Sequence, residues 1–124
     1  MGFWDAEGLY PANVDNRTKE QIERSKARYE MWRTYQEMKK ADTIGIDKYF
    51  HCLANCRATN LGLEGKKVAQ GISDFREWYQ GYLGDTPEDC ASDEAANQQG
   101  QKGGNCVKTC EQFKLNWMPE WVEQ

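Results

Sequence analysis

Two cysteine pairs with the same spacing constrain the fold of this chain more than any other feature. Cys52 and Cys56 form one Cys-x3-Cys pair, and Cys106 and Cys110 form the other. On a helix, residues four apart lie on one face with parallel Cβ directions, so a bridge within either pair has poor geometry. Two antiparallel segments can instead be joined twice. We therefore predict the disulfides Cys52–Cys110 and Cys56–Cys106, each contributing roughly 2–4 kcal/mol to a small domain.

The four thiols have two alternative states, reduced structural cysteines and a four-thiolate zinc site. Structural zinc sites favour Cys-x2-Cys spacing, so we predict no metal site. We also predict no cofactor. Cys90, the fifth cysteine, is either free and buried or the true partner of one of the other four, because connectivity does not follow from sequence. If the disulfides form, the protein works in an oxidising space.

Composition predicts one all-α domain with a small, aromatic-rich core. The chain has 124 residues, 39% of them hydrophobic, and includes five Trp, six Tyr and four Phe. Few β-branched residues and three prolines argue against a strand-rich fold. Residues 1–15 lack the basic and apolar regions of a signal peptide, which predicts either a cytosolic protein or a fragment exported by another route.

Hydrophobic periodicity, caps and glycine breaks predict four helices. They span about 16–41, 48–61, 65–83 and 87–99, with Asp15 or Asn16 capping the first and Asp47 the second. Asn105 is a candidate cap for a short segment that carries the second cysteine pair. The predicted apolar stripe of the first helix is Ile22, Tyr29, Trp32, Tyr35 and Met38. We divide the chain into an irregular segment 1–15, a helical bundle 16–104 and a tail 105–124 tied to the bundle.

Residues 17–40 are basic in a chain whose net charge is -4, with eight basic and four acidic side chains. One interpretation is a lipid- or anion-binding helix. The other is a solvated helix face, because acidic residues already lie three or four positions from the basic ones. We predict no nucleic-acid binding. The candidate lipid- or anion-binding residues are Arg17, Arg24, Arg28, Lys39 and Lys40.

The single histidine, His51, would have to carry any histidine-based chemistry. Asp47 and Asn55 lie one helical turn to either side of it and could orient the imidazole. Capping, interhelical ion pairs and a hydrogen-bonded core histidine explain the same residues without catalysis. Nucleotide-binding, serine-hydrolase and zinc-protease motifs are absent from the sequence. The candidate catalytic residues are His51, Asp47, Asp74, Glu77 and Asp93.

Three blocks of the sequence resemble the serum amyloid A family. They are MWRTYQEMKKADTIGIDKYFH at 31–51, AQGISDFREW at 69–78 and SDEAANQQGQKG at 92–103. The resemblance implies a four-helix bundle with a C-terminal tail wrapped around it, in which these motif residues hold helices and tail together. Vertebrate members bind lipid through an apolar amphipathic N-terminal segment. Here the charged sequence NRTKEQIERSKARYE takes that place.

The segment Asp5-Ala6-Glu7-Gly8-Leu9 is similar to the motif that ends the shell of RHS-type polymorphic toxins. Vertebrate members of the serum amyloid A family also lack the twin cysteine pairs. Our leading functional hypothesis is therefore the toxin domain of a secreted bacterial RHS-type protein, acting on membranes or lipids. It implies a cognate immunity protein as partner and action in an oxidising space such as a target cell's periplasm. The alternatives are a hydrolytic toxin centred on His51 and a non-toxic, lipid- or ligand-binding serum amyloid A-like protein.

Overall fold

Four long helices make up most of the chain that the computed structural model describes. The described residues are 18–41, 46–82, 87–116 and 118–122, and the side chains of 74–82 and 87–92 lie outside the description. A one-turn helix and a 3₁₀ turn, Glu111–Phe113, follow the fourth long helix, and no strand occurs in these ranges. The all-α prediction is thus confirmed. The helices are α1 Lys19–Ala41, α2 Asp47–Thr59, α3 Leu63–Tyr82, α4 Pro87–Gly100 and α5 Cys106–Thr109.

The start of α1 is fixed by a reciprocal cap between Thr18 and Gln21. The Gln21 backbone N–H donates to Thr18 Oγ1 at 3.1 Å, and the Thr18 N–H donates to Gln21 Oε1 at 2.9 Å. This is the capping box of a Thr-x-x-Gln sequence. The predicted cap at Asp15 or Asn16 lies outside the described residues. The predicted end of α1 at Ala41 is confirmed.

The second helix begins one residue earlier than predicted. Ile46 occupies the N-cap position without a side-chain cap, and Asp47 is the first helical residue. The prediction of Asp47 as N-cap was therefore wrong. Its carboxylate still lies where the helix dipole favours negative charge. The chain leaves α2 after Thr59 and turns at Gly62, whose φ of 132° is a conformation that side chains other than glycine rarely adopt.

The core is built around α2, which packs against α1, α3 and α4 and against the C-terminal segment. Every residue from Tyr49 to Cys56 is buried, and so is Ala58. A helix surrounded by neighbours has no solvated face, which explains why its burial exceeds the one-sided pattern predicted from sequence. One half of this core contains the cysteines and tail side chains. On the other half, residues of α1 and α3 pack against two alanines of α2.

The buried face of α1 shares only Tyr35 with the predicted stripe. Met31 is 1% exposed, whereas Trp32 is 39% exposed and lies beside Tyr29 on the outside, with ring centroids 5.9 Å apart. Ala27 and Thr34 are fully buried. Small side chains at these two positions let α1 approach α2, so close packing selects this face over the more aromatic one.

A buried polar network centred on Asn55 ties α2 to α3 and α4. Asn55 Nδ2 donates to Asn97 Oδ1 at 3.0 Å. Asn55 Oδ1 accepts from Ser73 Oγ at 3.0 Å and from Gln101 Nε2 at 2.9 Å. A Cβ on Gly100 would meet the backbone of α2, so α4 lies against α2 with no room for a side chain there. These contacts fix the position of α4, which carries Asp93.

Two disulfides attach the C-terminal segment to α2. Cys52 bonds Cys110 and Cys56 bonds Cys106, with Cα–Cα distances of 5.7 and 5.6 Å. The predicted pairing is confirmed, and the reduced-thiol and zinc alternatives are wrong for these four residues. The alternative that Cys90 is the partner of one of them is also wrong, because the four cysteines pair with one another. The N-cap Asn105 accepts from the Lys108 backbone N–H, as the sequence predicted. Beyond α5, the buried side chains Met118 and Val122 belong to the same core cluster as the Cys52–Cys110 bridge.

Candidate functional site

The predicted catalytic residues His51, Asp47 and Asp93 come together between α2 and α4. One ligand-type atom from each lies within 4.8 Å of those of the other two. His51 Nε2 is 3.9 Å from Asp93 Oδ2, and the two side chains are 2% and 6% exposed. The His51 ring also packs edge-on against Tyr35, with centroids 5.8 Å apart. The imidazole is therefore enclosed by core side chains on the inner side of the cluster.

Lys48 adds a cation to this cluster. Its Nζ lies 2.6 Å from Asp93 Oδ1 and 3.6 Å from Asp47 Oδ2. Desolvation is the largest single influence on the pKa of Lys48 and lowers it. The hydrogen bond and charge of Asp93, followed by those of Asp47, together outweigh desolvation and raise the pKa above its ordinary value. Lys48 is therefore charged at neutral pH and bridges two carboxylates.

Two further catalytic candidates, Asp74 and Glu77, lie on α3 outside the described side chains. Asn55, predicted to orient His51, instead belongs to the interhelical network. It donates to the His51 backbone carbonyl at 2.8 Å and to the Asn97 side chain. The structure thus assembles three of the five candidates and assigns Asn55 to helix packing.

The candidate lipid- or anion-binding residues are spread along α1 and mostly have partners. Arg24 forms an ion pair of 2.7 Å with Glu64, and Arg28 donates to Ser25 Oγ at 3.4 Å. Lys39 is exposed, and Lys40 Nζ lies 4.6 Å from the centre of the Trp121 ring. Arg17 lies outside the described residues. Their role as a lipid- or anion-binding group stays a prediction.

An open cleft of about 260 Å³ lies between the first two turns of α1 and the loop that follows α2. Its α1 side consists of Lys19, Ile22, Glu23 and Lys26, a spacing that places all four on one helical face. Leu61 forms the opposite side. Sequence analysis missed this cleft because Leu61 reaches it from a different part of the chain. The available signal was the pair of lysines seven residues apart with Ile22 between them.

Glu23 shapes the cleft by binding the start of α3. Its Oε1 accepts the backbone N–H of Glu64 at 2.8 Å and of Gly65 at 3.1 Å. A carboxylate at a helix N-terminus satisfies unpaired N–H groups and interacts favourably with the helix dipole. Glu23 is therefore committed to capping α3, and Lys19 and Lys26 are the cationic groups beside the apolar residues of the cleft.

The fold is that of a small all-α protein whose C-terminal segment is covalently attached to its central helix. The two disulfides are typical of proteins in an oxidising compartment. Such an arrangement suits a secreted protein. Within the described ranges, no helix is both long and apolar enough to cross a membrane.

The chain belongs to the serum amyloid A family, because the family model described as serum amyloid A protein matches residues 18–120. It is 40% identical to serum amyloid A-1 protein of Homo sapiens over 91 residues, which cover 73% of this chain and 71% of the relative. It is 43% identical to serum amyloid A-3 protein of Oryctolagus cuniculus over 76 residues, 61% of this chain and 62% of the relative. The serum amyloid A protein of Anas platyrhynchos is 42% identical over 78 residues, 62% of this chain and 61% of the relative.

These relatives correct the leading functional hypothesis. The prediction of a bacterial RHS-type toxin domain was wrong, since the matched proteins are serum amyloid A proteins and none of these matches indicates a toxin or a bacterial origin. The hypothesis depended on the five residues 5–9, together with the absence of a signal-peptide pattern and the predicted disulfides. So short a match carries little information beside a family match over residues 18–120. The periplasmic location has no support either, whereas the oxidising compartment does.

Proposed function

We propose that this protein is a non-toxic, ligand-binding member of the serum amyloid A family that takes a small anionic amphiphile in the α1 cleft. A medium-chain fatty acid has the required chemistry. The observation that carries the proposal is the combination, in one open cleft, of two apolar side chains, Ile22 and Leu61, with two lysines, Lys19 and Lys26. An apolar surface flanked by cations matches an alkyl chain that ends in a carboxylate.

The size of the cleft limits the ligand class. Its volume of about 260 Å³ lies just below the roughly 300–1,000 Å³ of typical small-molecule sites. A single short acyl chain is therefore a better match than a two-chain phospholipid. Each buried methylene contributes about 0.8 kcal/mol, so affinity should rise with chain length until the cleft is full.

The electrostatics of the cleft favour the anionic end of such a ligand. The Glu23 carboxylate accepts two backbone N–H groups at the start of α3, which reduces its repulsion of an incoming anion. Lys19 and Lys26 are exposed on the same face of α1. A carboxylate beside either ammonium group gains an attraction that salt weakens.

Isothermal titration calorimetry with sodium decanoate, below its micelle concentration, tests the proposal. Lys19→Glu combined with Lys26→Glu should weaken binding at least about tenfold, because it replaces two attractive charges by repulsive ones. The matched control is Lys102→Glu with Lys108→Glu, which makes the same change in net charge at exposed lysines away from the cleft. Its affinity should stay within about twofold of the parent protein.

A chain-length series provides the second readout. Affinity should increase from hexanoate to octanoate to decanoate, and Leu61→Asn should flatten that increase. Absence of decanoate binding would contradict the proposal. An equal loss of decanoate affinity in the Lys19→Glu, Lys26→Glu variant and in the Lys102→Glu, Lys108→Glu control would also contradict it, because it would indicate a non-specific charge effect.

A further inference from the structure

We propose that Asp47, His51 and Asp93 form a binding site for a divalent transition-metal ion, and that Lys48 competes with the metal for it. This site is separate from the α1 cleft. One imidazole nitrogen and two carboxylate oxygens, all within 4.8 Å of one another, are a donor set that suits Zn²⁺. Mg²⁺ and Ca²⁺ prefer oxygen ligands alone, so the imidazole favours a transition metal.

The ligands come from two helices whose relative position is fixed. Asp47 and His51 are four residues apart on α2 and share a face, and Asp93 reaches them from α4. Around a tetrahedral zinc ion, ligand atoms lie about 3.3 Å apart. His51 Nε2 and Asp93 Oδ2 are already 3.9 Å apart. A small inward movement of the carboxylates therefore completes three of the four coordination positions, with water as the fourth ligand.

Lys48 shows that this position holds a cation. Its ammonium group lies 2.6 Å from Asp93 and 3.6 Å from Asp47 and supplies one positive charge against two carboxylates. A divalent ion would neutralise both carboxylates, and a neutral imidazole adds no charge. The lysine has a flexible stem and is 30% exposed, so its ammonium group can move into water when a metal ion replaces it.

The site is reached from the outer side of the cluster. The Asp47 side chain is 46% exposed, whereas His51 and Asp93 form the inner side. A hydrated ion can therefore meet the exposed carboxylate first and then exchange water for the inner oxygen and nitrogen. The Asn55 network holds α2 and α4 together during this exchange.

Zinc titration by calorimetry tests the site, using the disulfide-intact chain of 124 residues without a histidine tag. All variants carry Cys90→Ser, which removes the thiol outside the two disulfides. Lys48→Gln should tighten Zn²⁺ binding at least about tenfold, because a competing positive charge is removed. Asp47→Asn should weaken binding about tenfold or more. The matched controls Lys108→Gln and Glu111→Gln alter exposed charges elsewhere and should leave the affinity within about twofold.

A spectroscopic readout identifies the ligands. Co²⁺ added to Lys48→Gln should produce visible d–d absorption typical of nitrogen and oxygen ligation, and His51→Gln in the same background should abolish it. Circular dichroism establishes that the histidine variant is folded, and the exposed Asp47→Asn change gives an independent test if it is not. Failure of Lys48→Gln to bind Zn²⁺ at millimolar concentration overturns the proposal. Equal affinities in the parent protein, Lys48→Gln and Asp47→Asn overturn it as well.

Discussion

Removing the disulfides one at a time and together tests the covalent attachment of the tail most sharply. One variant replaces Cys52 and Cys110 by alanine, another replaces Cys56 and Cys106, and a third replaces all four. Each bridge alone closes a long loop, with sequence separations of 58 and 50. Once one bridge exists, however, the second closes only a short ring that runs through the first bridge and the two Cys-x3-Cys segments.

This topology determines how much each bridge stabilises the fold. In the chain-entropy model, the first bridge stabilises the fold by about 4.2 kcal/mol, and the second, in an effective ring of roughly ten residues, by about 2.7 kcal/mol. Loss of either bridge alone should therefore cost about 2.7 kcal/mol, and loss of both about 7 kcal/mol. Cys52 and Cys110 are both fully buried in the main core cluster, whereas Cys106 of the other bridge is only half-buried. Removal of the Cys52–Cys110 bridge should therefore cost about 1 kcal/mol more.

Guanidinium chloride unfolding, followed by circular dichroism at 222 nm, measures these free energies. Both single-bridge variants should fold with lower midpoints. The four-alanine variant should have by far the lowest midpoint, because a loss of about 7 kcal/mol is roughly half or more of the total stability of about 5–15 kcal/mol that a domain has. A four-alanine variant that loses no more stability than a single-bridge variant would refute these values, and so would a single-bridge variant as stable as the parent protein.

Three further predictions concern helix packing and charge. Gly100→Ala should destabilise the fold by about 1–3 kcal/mol in denaturant unfolding, because the added Cβ meets the backbone of α2. Gly71→Ala, where the added Cβ has open space around it, should instead stabilise the fold by up to about 1 kcal/mol. Asn55→Ala should cost about 2–4 kcal/mol in the same assay, because several buried partners lose hydrogen bonds. Hydrogen bonding from Arg24, with a smaller contribution from a nearby lysine, lowers the pKa of Glu64 below its ordinary value of 4.5. The ionised Glu64 carboxylate therefore stabilises the fold fully above pH 4.5, and this stabilisation is lost as the pH falls through the lowered pKa of Glu64. Arg24→Gln should move the carboxyl titration, measured by ¹³C NMR, back toward 4.5, and an unchanged titration would contradict this assignment.

Local patterns predicted the parts of the fold that local geometry decides. The two Cys-x3-Cys pairs predicted the disulfide pairing, because helical spacing disfavours a bridge within either pair and two antiparallel segments can be joined twice. The role of Cys90 did not follow from the sequence. The C-terminal end of α1 at Ala41 and the turn at Gly62 were also predicted from nearby residues.

Features that depend on neighbouring helices did not follow from sequence. Burial of Met31 rather than Trp32 reflects the close approach of α1 to α2, which the aromatic pattern of one helix does not reveal. Asp93 was a candidate partner of His51, but its ion pair with Lys48 required the position of α4. The cleft beside Leu61 joins residues distant in the chain and was missed for the same reason.

The location of a bound amphiphile tests the proposed function most directly. Methyl-labelled protein is titrated with decanoate and followed by ¹³C–¹H NMR. We expect saturable shifts at the methyl groups of Ile22 and Leu61, which line the cleft, while those of Val122, a tail residue buried in the core, stay unchanged. Shifts confined to other methyl groups, or no shifts at Ile22 and Leu61 at saturation, would contradict a ligand site in this cleft.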